Sequence, residues 1–211
     1  MAFVRAGLDE VGIGALAGPY IAVVAVFREK DLSLLPPGVR DSKKTTDEQR
    51  ESLYLPICKA AWDVGIGHAW PWEIDRMGPS DALQLTYRRA LQELRVQFDE
   101  LVIDGNVGVK SFRQLFTPKS VLVQPKADVN FREVSAASII AKKFRDEIMT
   151  SYSKRFPAYR WESNKGYGTA DHEEAIRRSG LLINDSDFSR YLHRKHYVKK
   201  FLAQGVPHAA I

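Results

Sequence analysis

The chain has 211 residues, 45% hydrophobic and 27% charged, with a formal net charge of +5 and one cysteine, Cys58. That length and balance fit one α/β domain with a helical appendage, and the modest basic excess admits a polyanionic partner without requiring one. A lone thiol excludes an internal disulfide, and no Cys or His pair stands at the spacing of a structural zinc site.

In chain order, FVRAGLD (3–9) and YIAVVAVF (20–27) are rich in Val, Ile and aromatics, with GIGALAGP between them. They predict two neighbouring strands joined by a glycine-rich connection. LLPPGVRDSKK (34–44) reads as a loop, Thr46 as the cap of a helix over 47–60, and WDVGIGHAW (62–70) as a strand. PSDALQLTYRRALQELRVQF (79–98) predicts a helix with Leu83, Tyr87, Leu91 and Leu94 on one face. LVIDG (101–105) and SVLVQP (120–125) predict buried strands. A helix follows from Arg132 to about Lys154, turning Val134, Ala137, Ile140, Ala141 and Phe144 inward, and two more are expected near 169–179 and 187–203. No repeat or linker interrupts the chain. The expectation is a single domain over 1–211, with a core to about 160 and a helical part over about 161–211. MAFVRAGLDE lacks the apolar stretch of a signal peptide, and no run approaches the ~18 apolar residues of a membrane span. A cytoplasmic chain with no membrane partner is expected.

Asp9 and Glu10 stand side by side where the first strand meets the glycine-rich bend, and Asp104 ends a later strand. Strand ends at an open sheet edge are where functional side chains collect. If the two strands are neighbours, three carboxylates converge, and such a cluster ionises at low cost only around a hard cation such as Mg²⁺ or Mn²⁺. The spacing alone leaves a second reading open, in which the three are separate acids at strand ends, where Asp is common.

The blocks GLDEVGIGALAGP, RDSKK, VIDGN, SAASIIAKKFRDEIM and GYGTADHEEAI, with LHRKHY near the end, run in the order seen in ribonuclease HII, the type 2 ribonuclease H. The sequence resembles that family from residue 6 to about 197. The resemblance implies a ribonuclease H-like α/β fold, a mixed central sheet flanked by helices with a C-terminal helical extension. It also implies metal-dependent endonucleolytic cleavage of RNA in RNA–DNA hybrids, leaving 3′-hydroxyl and 5′-phosphate ends. Two divalent ions, Mg²⁺ or Mn²⁺, would be held by Asp9, Glu10, Asp104 and a fourth aspartate; counting ten back from Ser138 gives Asp128. Its local text, QPKADVNF, has Ala127 where the family has glycine. The implied partners are RNA–DNA hybrid or DNA containing ribonucleotides, met by a monomer.

The family reads the 2′-hydroxyl with a Gly-Arg-Gly or Gly-Lys-Gly turn and a tyrosine. Tyr167 matches the tyrosine, but the turn here is Gly12-Ile13-Gly14, so its cation is absent. This departure predicts retained cleavage of long hybrids and a weakened preference for a single ribonucleotide embedded in DNA. The resemblance brings Ser42, Lys43 and Lys142 to the backbone near the cut, and Arg40, Lys44, Lys143 and Arg145 offer further charge. The basic tract RYLHRKHYVKK (190–200) reads either as a helix along the DNA strand or as one that packs its aromatics and exposes its charge. Two alternatives remain: a related nuclease with a shifted nucleic-acid substrate, and a non-catalytic protein that binds hybrids.

Overall fold

The computed structural model describes residues 3–39, 45–105 and 120–209. In chain order the elements are β1 (Val4–Val11), β2 (Tyr20–Arg28), α1 (Asp47–Ala60), β3 (Asp63–Ala69), α2 (Pro71–Met77), α3 (Pro79–Gln92), β4 (Glu100–Asp104), β5 (Ser120–Gln124), α4 (Ala127–Asn130), α5 (Arg132–Arg155), α6 (Trp161–Asn164), α7 (Ala170–Ser179) and α8 (Lys199–Ala203). The chain divides into two compact units that interleave in sequence. One comprises Met1–Val11, Ile21–His68 and Gln84–Lys143, the other Gly12–Tyr20, Ala69–Leu83 and Phe144–Ile211. Among the described residues no helix is long and apolar enough to cross a membrane.

The first unit is built on a five-stranded mixed sheet in the order β3-β2-β1-β4-β5. β1 runs antiparallel to β2 and parallel to β4, which is parallel to β5. β2 is buried at every position but its last, so its apolar residues run continuously instead of alternating. α1 starts where the sequence places it, at a capping box: Gln49 N–H donates to Thr46 Oγ1 at 3.2 Å and Thr46 N–H donates to Gln49 Oε1 at 2.9 Å. α3 stops at Gln92, short of the predicted 98. Asp63 Oδ2 accepts the N–H groups of Arg95 at 2.6 Å and Val96 at 3.3 Å, drawing them out of a helical ladder. α5 lies so close to β1 that a Cβ on Gly7 would stand 2.3 Å from the Glu133 carbonyl carbon and from Val134 N. Val134, Ala137, Ile140 and Ala141 are buried as their spacing predicts.

The second unit packs around Trp161, which stacks on Tyr159 with ring centroids 5.0 Å apart, together with Ile176, Leu182, Leu192 and Phe201. The helix predicted over 187–203 is corrected to a short 3₁₀ turn, Phe188–Arg190, and the five residues of α8. Between them the backbone of Leu192–Arg194 bonds to other segments: Leu192 N–H donates to Leu182 O at 2.8 Å and Arg194 N–H to Leu16 O at 3.0 Å, while Leu192 O accepts from Gly18 N–H at 2.9 Å. α2, which the sequence reading lacked, opens on Pro71 with Trp70 N–H donating to Glu73 Oε2 at 2.9 Å.

Candidate active site

The pairing of Leu8 with Ile103 sets Asp9 and Asp104 at the same end of adjacent parallel strands. Asp9, Glu10 and Asp104 line one cavity of about 340 Å³ together with Val11, Ser138, Ile139 and Lys142 from α5 and Arg50 from α1. Asp9 is buried, and desolvation together with the charges of Glu10 and Asp104 pushes its carboxyl up to about 7. The Ser138 hydroxyl and the Glu10 N–H, which donates to Asp9 Oδ1 at 2.8 Å, oppose that rise without cancelling it. The Tyr87 hydroxyl donates to Glu10 Oε2, and Ala127 N–H donates to Asp104 Oδ1 at 2.9 Å. Each acid of this cavity is therefore gripped by the fold.

Sequence reasoning placed Tyr87 on an apolar face and missed its hydroxyl, because helical spacing reports which side a residue faces and nothing about its polar tip. Arg50 was missed as well; it sits beside the acids in space, with its Nη1 donating to Thr45 O at 2.5 Å and its Nη2 to Asp47. Tyr87→Phe leaves Glu10 without its buried donor, a charge-assisted bond worth roughly 1.5–3 kcal/mol. The expected result is a fall in kcat of about tenfold on a long hybrid, read by steady-state kinetics at saturating divalent ion.

Asp128 is buried in α4 and is not one of the residues lining this cavity. It follows directly on Ala127, whose N–H holds Asp104. The alanine that departs from the family's glycine is fully buried in a cluster with Val102 and Val134, so its methyl fills core space. Among the described residues no three His, Cys, Asp or Glu side chains are grouped so that they could hold a metal ion as they stand. A purely carboxylate donor set on a polar cavity still fits a hard divalent cation, because Mg²⁺ is commonly held by one or two carboxylates and completes its shell with water and substrate phosphate. Burial first, and then the charges of Glu10 and Asp104, raise Asp9, so these acids share one field.

In the second unit, Gly12 has φ +91°, and a Cβ there would lie 2.3 Å from Arg145 Nε, so the turn requires glycine at this position. Ile13 packs against the cluster of Tyr20, Ala69, Ile74 and Ala82, which gives the aliphatic residue at this position a structural use. Gly14 is exposed. Tyr167 is half-buried with the Arg145 guanidinium carbon 5.2 Å from its ring centroid, and its carbonyl meets His172 Nδ1 at 2.9 Å.

Several basic residues take other roles than the expected one. Arg145 is fully buried and donates to the carbonyls of Pro19, Ala17 and Lys165, so it binds protein and not phosphate. Lys143 pairs with Glu51. In the 190–200 tract, Arg194 is fully buried, Lys195 pairs with Asp185 at 3.0 Å and Lys200 with Glu173 at 2.5 Å. Lys142 does reach the carboxylate cavity. Ser42 and Lys43, with Arg40 and Lys44, lie outside the described residues.

A mixed sheet of this order, with acids at the ends of adjacent parallel strands, puts the chain among the ribonuclease H-like hydrolases. Ribonuclease H2 from Pyrococcus horikoshii OT3 is similar over 96% of this chain and 98% of its own, with a TM-score of 0.79 and 28% identity. The structure of a PCNA:RNase HII complex from Archaeoglobus fulgidus aligns with a TM-score of 0.70 and 25% identity, covering 82% of this chain and 85% of that one. Bst-RNase HIII in complex with Mn²⁺, at 22% identity, 96% and 70% coverage and a TM-score of 0.78, shares the fold.

The chain belongs to the ribonuclease HII family, whose sequence model matches residues 6–199. It is 40% identical over 180 residues to ribonuclease HII from Trichodesmium erythraeum, covering 85% of this chain and 83% of that one. The ribonuclease HII of Syntrophotalea carbinolica is 42% identical over 176 residues, 83% of this chain and 79% of the relative. Membership makes the protein a type 2 ribonuclease H, an endoribonuclease acting on RNA–DNA hybrids, in a family that depends on divalent metal.

Proposed function

We propose that the enzyme cuts the RNA strand of RNA–DNA hybrids to 3′-hydroxyl and 5′-phosphate ends, with Asp9, Glu10, Asp104 and Asp128 as the carboxylates that hold two divalent ions, Mg²⁺ or Mn²⁺. The observation that carries this reading is the shared cavity of Asp9, Glu10 and Asp104 with Lys142 on its wall. When bound, the ions supply a lowered pKa for the attacking water and charge stabilisation for the phosphoryl group. Ser138, Tyr87 and the Ala127 N–H fix the orientation of the acids, so little reorganisation is left for the moment of reaction. Lys142 and the loop residues Ser42 and Lys43 neutralise phosphates beside the cut, and Gly12, Ile13, Gly14 and Tyr167 meet the ribose and its junction with DNA. The protein works as a monomer in the cytoplasm.

The test is a labelled hybrid incubated with Mg²⁺, Mn²⁺ or EDTA. Metal-dependent product is expected. None at any enzyme level would support a hybrid-binding protein instead, and cleavage of pure DNA duplex would support a nuclease of shifted substrate.

The aliphatic residue at position 13 lowers the preference for a single embedded ribonucleotide. Ile13→Arg restores one charged phosphate contact, worth on the order of 1–3 kcal/mol. It should raise kcat/KM on the embedded ribonucleotide, relative to a long hybrid, by about tenfold. Loss of the Ile13 packing lowers Tm by a few degrees at the same time, by roughly 1 kcal/mol of apolar burial. An unchanged substrate ratio would remove the role assigned to position 13.

A further inference from the structure

A second cavity, of about 300 Å³, belongs wholly to the second unit and shares no residue with the carboxylate cavity. Its walls come from α2 and from the segment between α7 and α8. Trp72 and Arg76, four residues apart, share a face of α2. Trp72 stacks on Phe188, with ring centroids 4.7 Å and planes 20° apart. Tyr191 is buried, and Lys195 Nζ lies 5.4 Å from its ring centroid. Asp75 fixes this frame. Its Oδ2 accepts the Tyr191 hydroxyl at 3.0 Å and Lys195 N–H at 2.7 Å, and its Oδ1 accepts His196 N–H at 3.0 Å. α2 is thereby tied to the later segment at three points, and the aromatic walls are set before any ligand arrives.

Two groups at this cavity are left unused by the fold. Phe188 is 54% exposed although it stacks on Trp72, so the side of its ring turned from Trp72 is open to solvent. Arg76 is exposed and has no hydrogen-bond or ion-pair partner among the described residues. Lys195, by contrast, is taken up by the Asp185 carboxylate at 3.1 and 3.0 Å. An open aromatic face beside an uncommitted guanidinium matches the two halves of a nucleotide. The face stacks on a base of any identity, and the guanidinium takes a phosphate through its planar fork of N–H donors. Bases inside a duplex are already stacked on their neighbours, so a base reaches this ring only from a single strand or a free nucleotide.

We infer that this cavity binds one nucleotide, its base on the Phe188–Trp72 stack and its phosphate on Arg76, supplied by a single-stranded segment that continues from a hybrid. The class of ligand follows from the cavity; the single-stranded source rests on the reading of the protein as a hybrid nuclease. The site gives the two exposed side chains a use that folding does not.

The test is affinity in EDTA, measured by anisotropy, for fluorescent hybrids that are blunt or carry a single-stranded tail of about ten nucleotides at either end of either strand. At least one tailed hybrid should bind about tenfold tighter than the blunt one. Phe188→Ala and Arg76→Gln, both at exposed positions, should each cut that gain to about threefold or less, with affinity for the blunt hybrid unchanged. AMP supplies the free-nucleotide arm, read as quenching of tryptophan fluorescence. Quenching that Phe188→Ala abolishes, with no gain from any tail, keeps the nucleotide site and makes a free nucleotide its source. Equal affinity for blunt and tailed hybrids together with no Phe188-dependent quenching overturns the inference, and so does a tail gain that either variant retains in full. Cleavage of the blunt hybrid in Mg²⁺ or Mn²⁺ is scored separately: its absence refutes the nuclease reading and leaves the outcome of these binding experiments as it stands.

Discussion

Asp9→Asn raises the melting temperature at pH 8 by about 5 °C or more and lowers hybrid cleavage by about a hundredfold or more. The cause of the first effect is the buried carboxylate itself, raised from 3.8 to about 7 by desolvation, Glu10 and Asp104. A carboxyl with a raised folded-state pKa binds more protons folded than unfolded between those two values, so its contribution to stability falls as pH rises through that window. Above pH 7 the full penalty applies, on the order of 2–4 kcal/mol. The amide keeps an oxygen for the Glu10 N–H and carries no charge. Calorimetry at pH 5 and pH 8 checks the sign, because at pH 5 the wild-type group is already protonated and the gain should shrink. An equal gain at both values would show that charge is not the source. Adding Mg²⁺ should narrow the gap at pH 8, since a cation relieves the same repulsion in the wild type alone.

Acidification acts in the opposite direction on the second unit. Leu182 N–H donates to His193 Nδ1 at 2.9 Å, which leaves the neutral ring's proton on Nε2, 3.3 Å from His172 Nε2. His172 Nε2 accepts that proton and the Trp161 Nε1–H at 3.0 Å, so its own proton sits on Nδ1 and is donated to Tyr167 O at 2.9 Å. These tautomers follow from the partners. An added proton on either ring would displace a hydrogen bond that its unprotonated nitrogen accepts, and burial lowers both histidines, His193 well below 6.5. The unfolded chain then binds protons first, so the stability of this network is fully present above pH 6.5 and is lost as pH falls. Each group contributes at most about 1.4 kcal/mol per pH unit, from pH 6.5 down to its own depressed folded-state value. Asp9 masks part of this loss, so the clean comparison is Asp9→Asn against Asp9→Asn with His193→Asn, which keeps an acceptor for Leu182 N–H and cannot ionise. The Tm-versus-pH slope should fall. Equal slopes would assign the acid sensitivity to other groups.

The acid pair, its partner on β4 and the strands beneath them were legible because they are local signals: apolar runs ending in carboxylates, followed by glycine. Thr46 announced α1 for the same reason. The fate of the arginines was not legible. Arg145 follows the apolar series of α5 by one position and Arg194 lies in a basic tract, so composition assigns both to solvent or phosphate. Only the tertiary route of the Gly12–Pro19 loop supplies the carbonyls that let them be buried. The 187–203 segment misled for a related reason: its backbone groups find partners on Leu16, Gly18 and Leu182, and no periodicity in the segment reports those distant residues.

The near-contact at Gly7 sets a dimension of the carboxylate cavity. β1 carries Asp9 and Glu10, α5 carries Ser138 and Lys142, and the gap between strand and helix is fixed by main chain meeting main chain, with no compressible side chain as a spacer. The chamber's width is thus insensitive to repacking elsewhere in the interior. A single methyl group at position 7 would force the two walls apart while leaving every acid in the sequence.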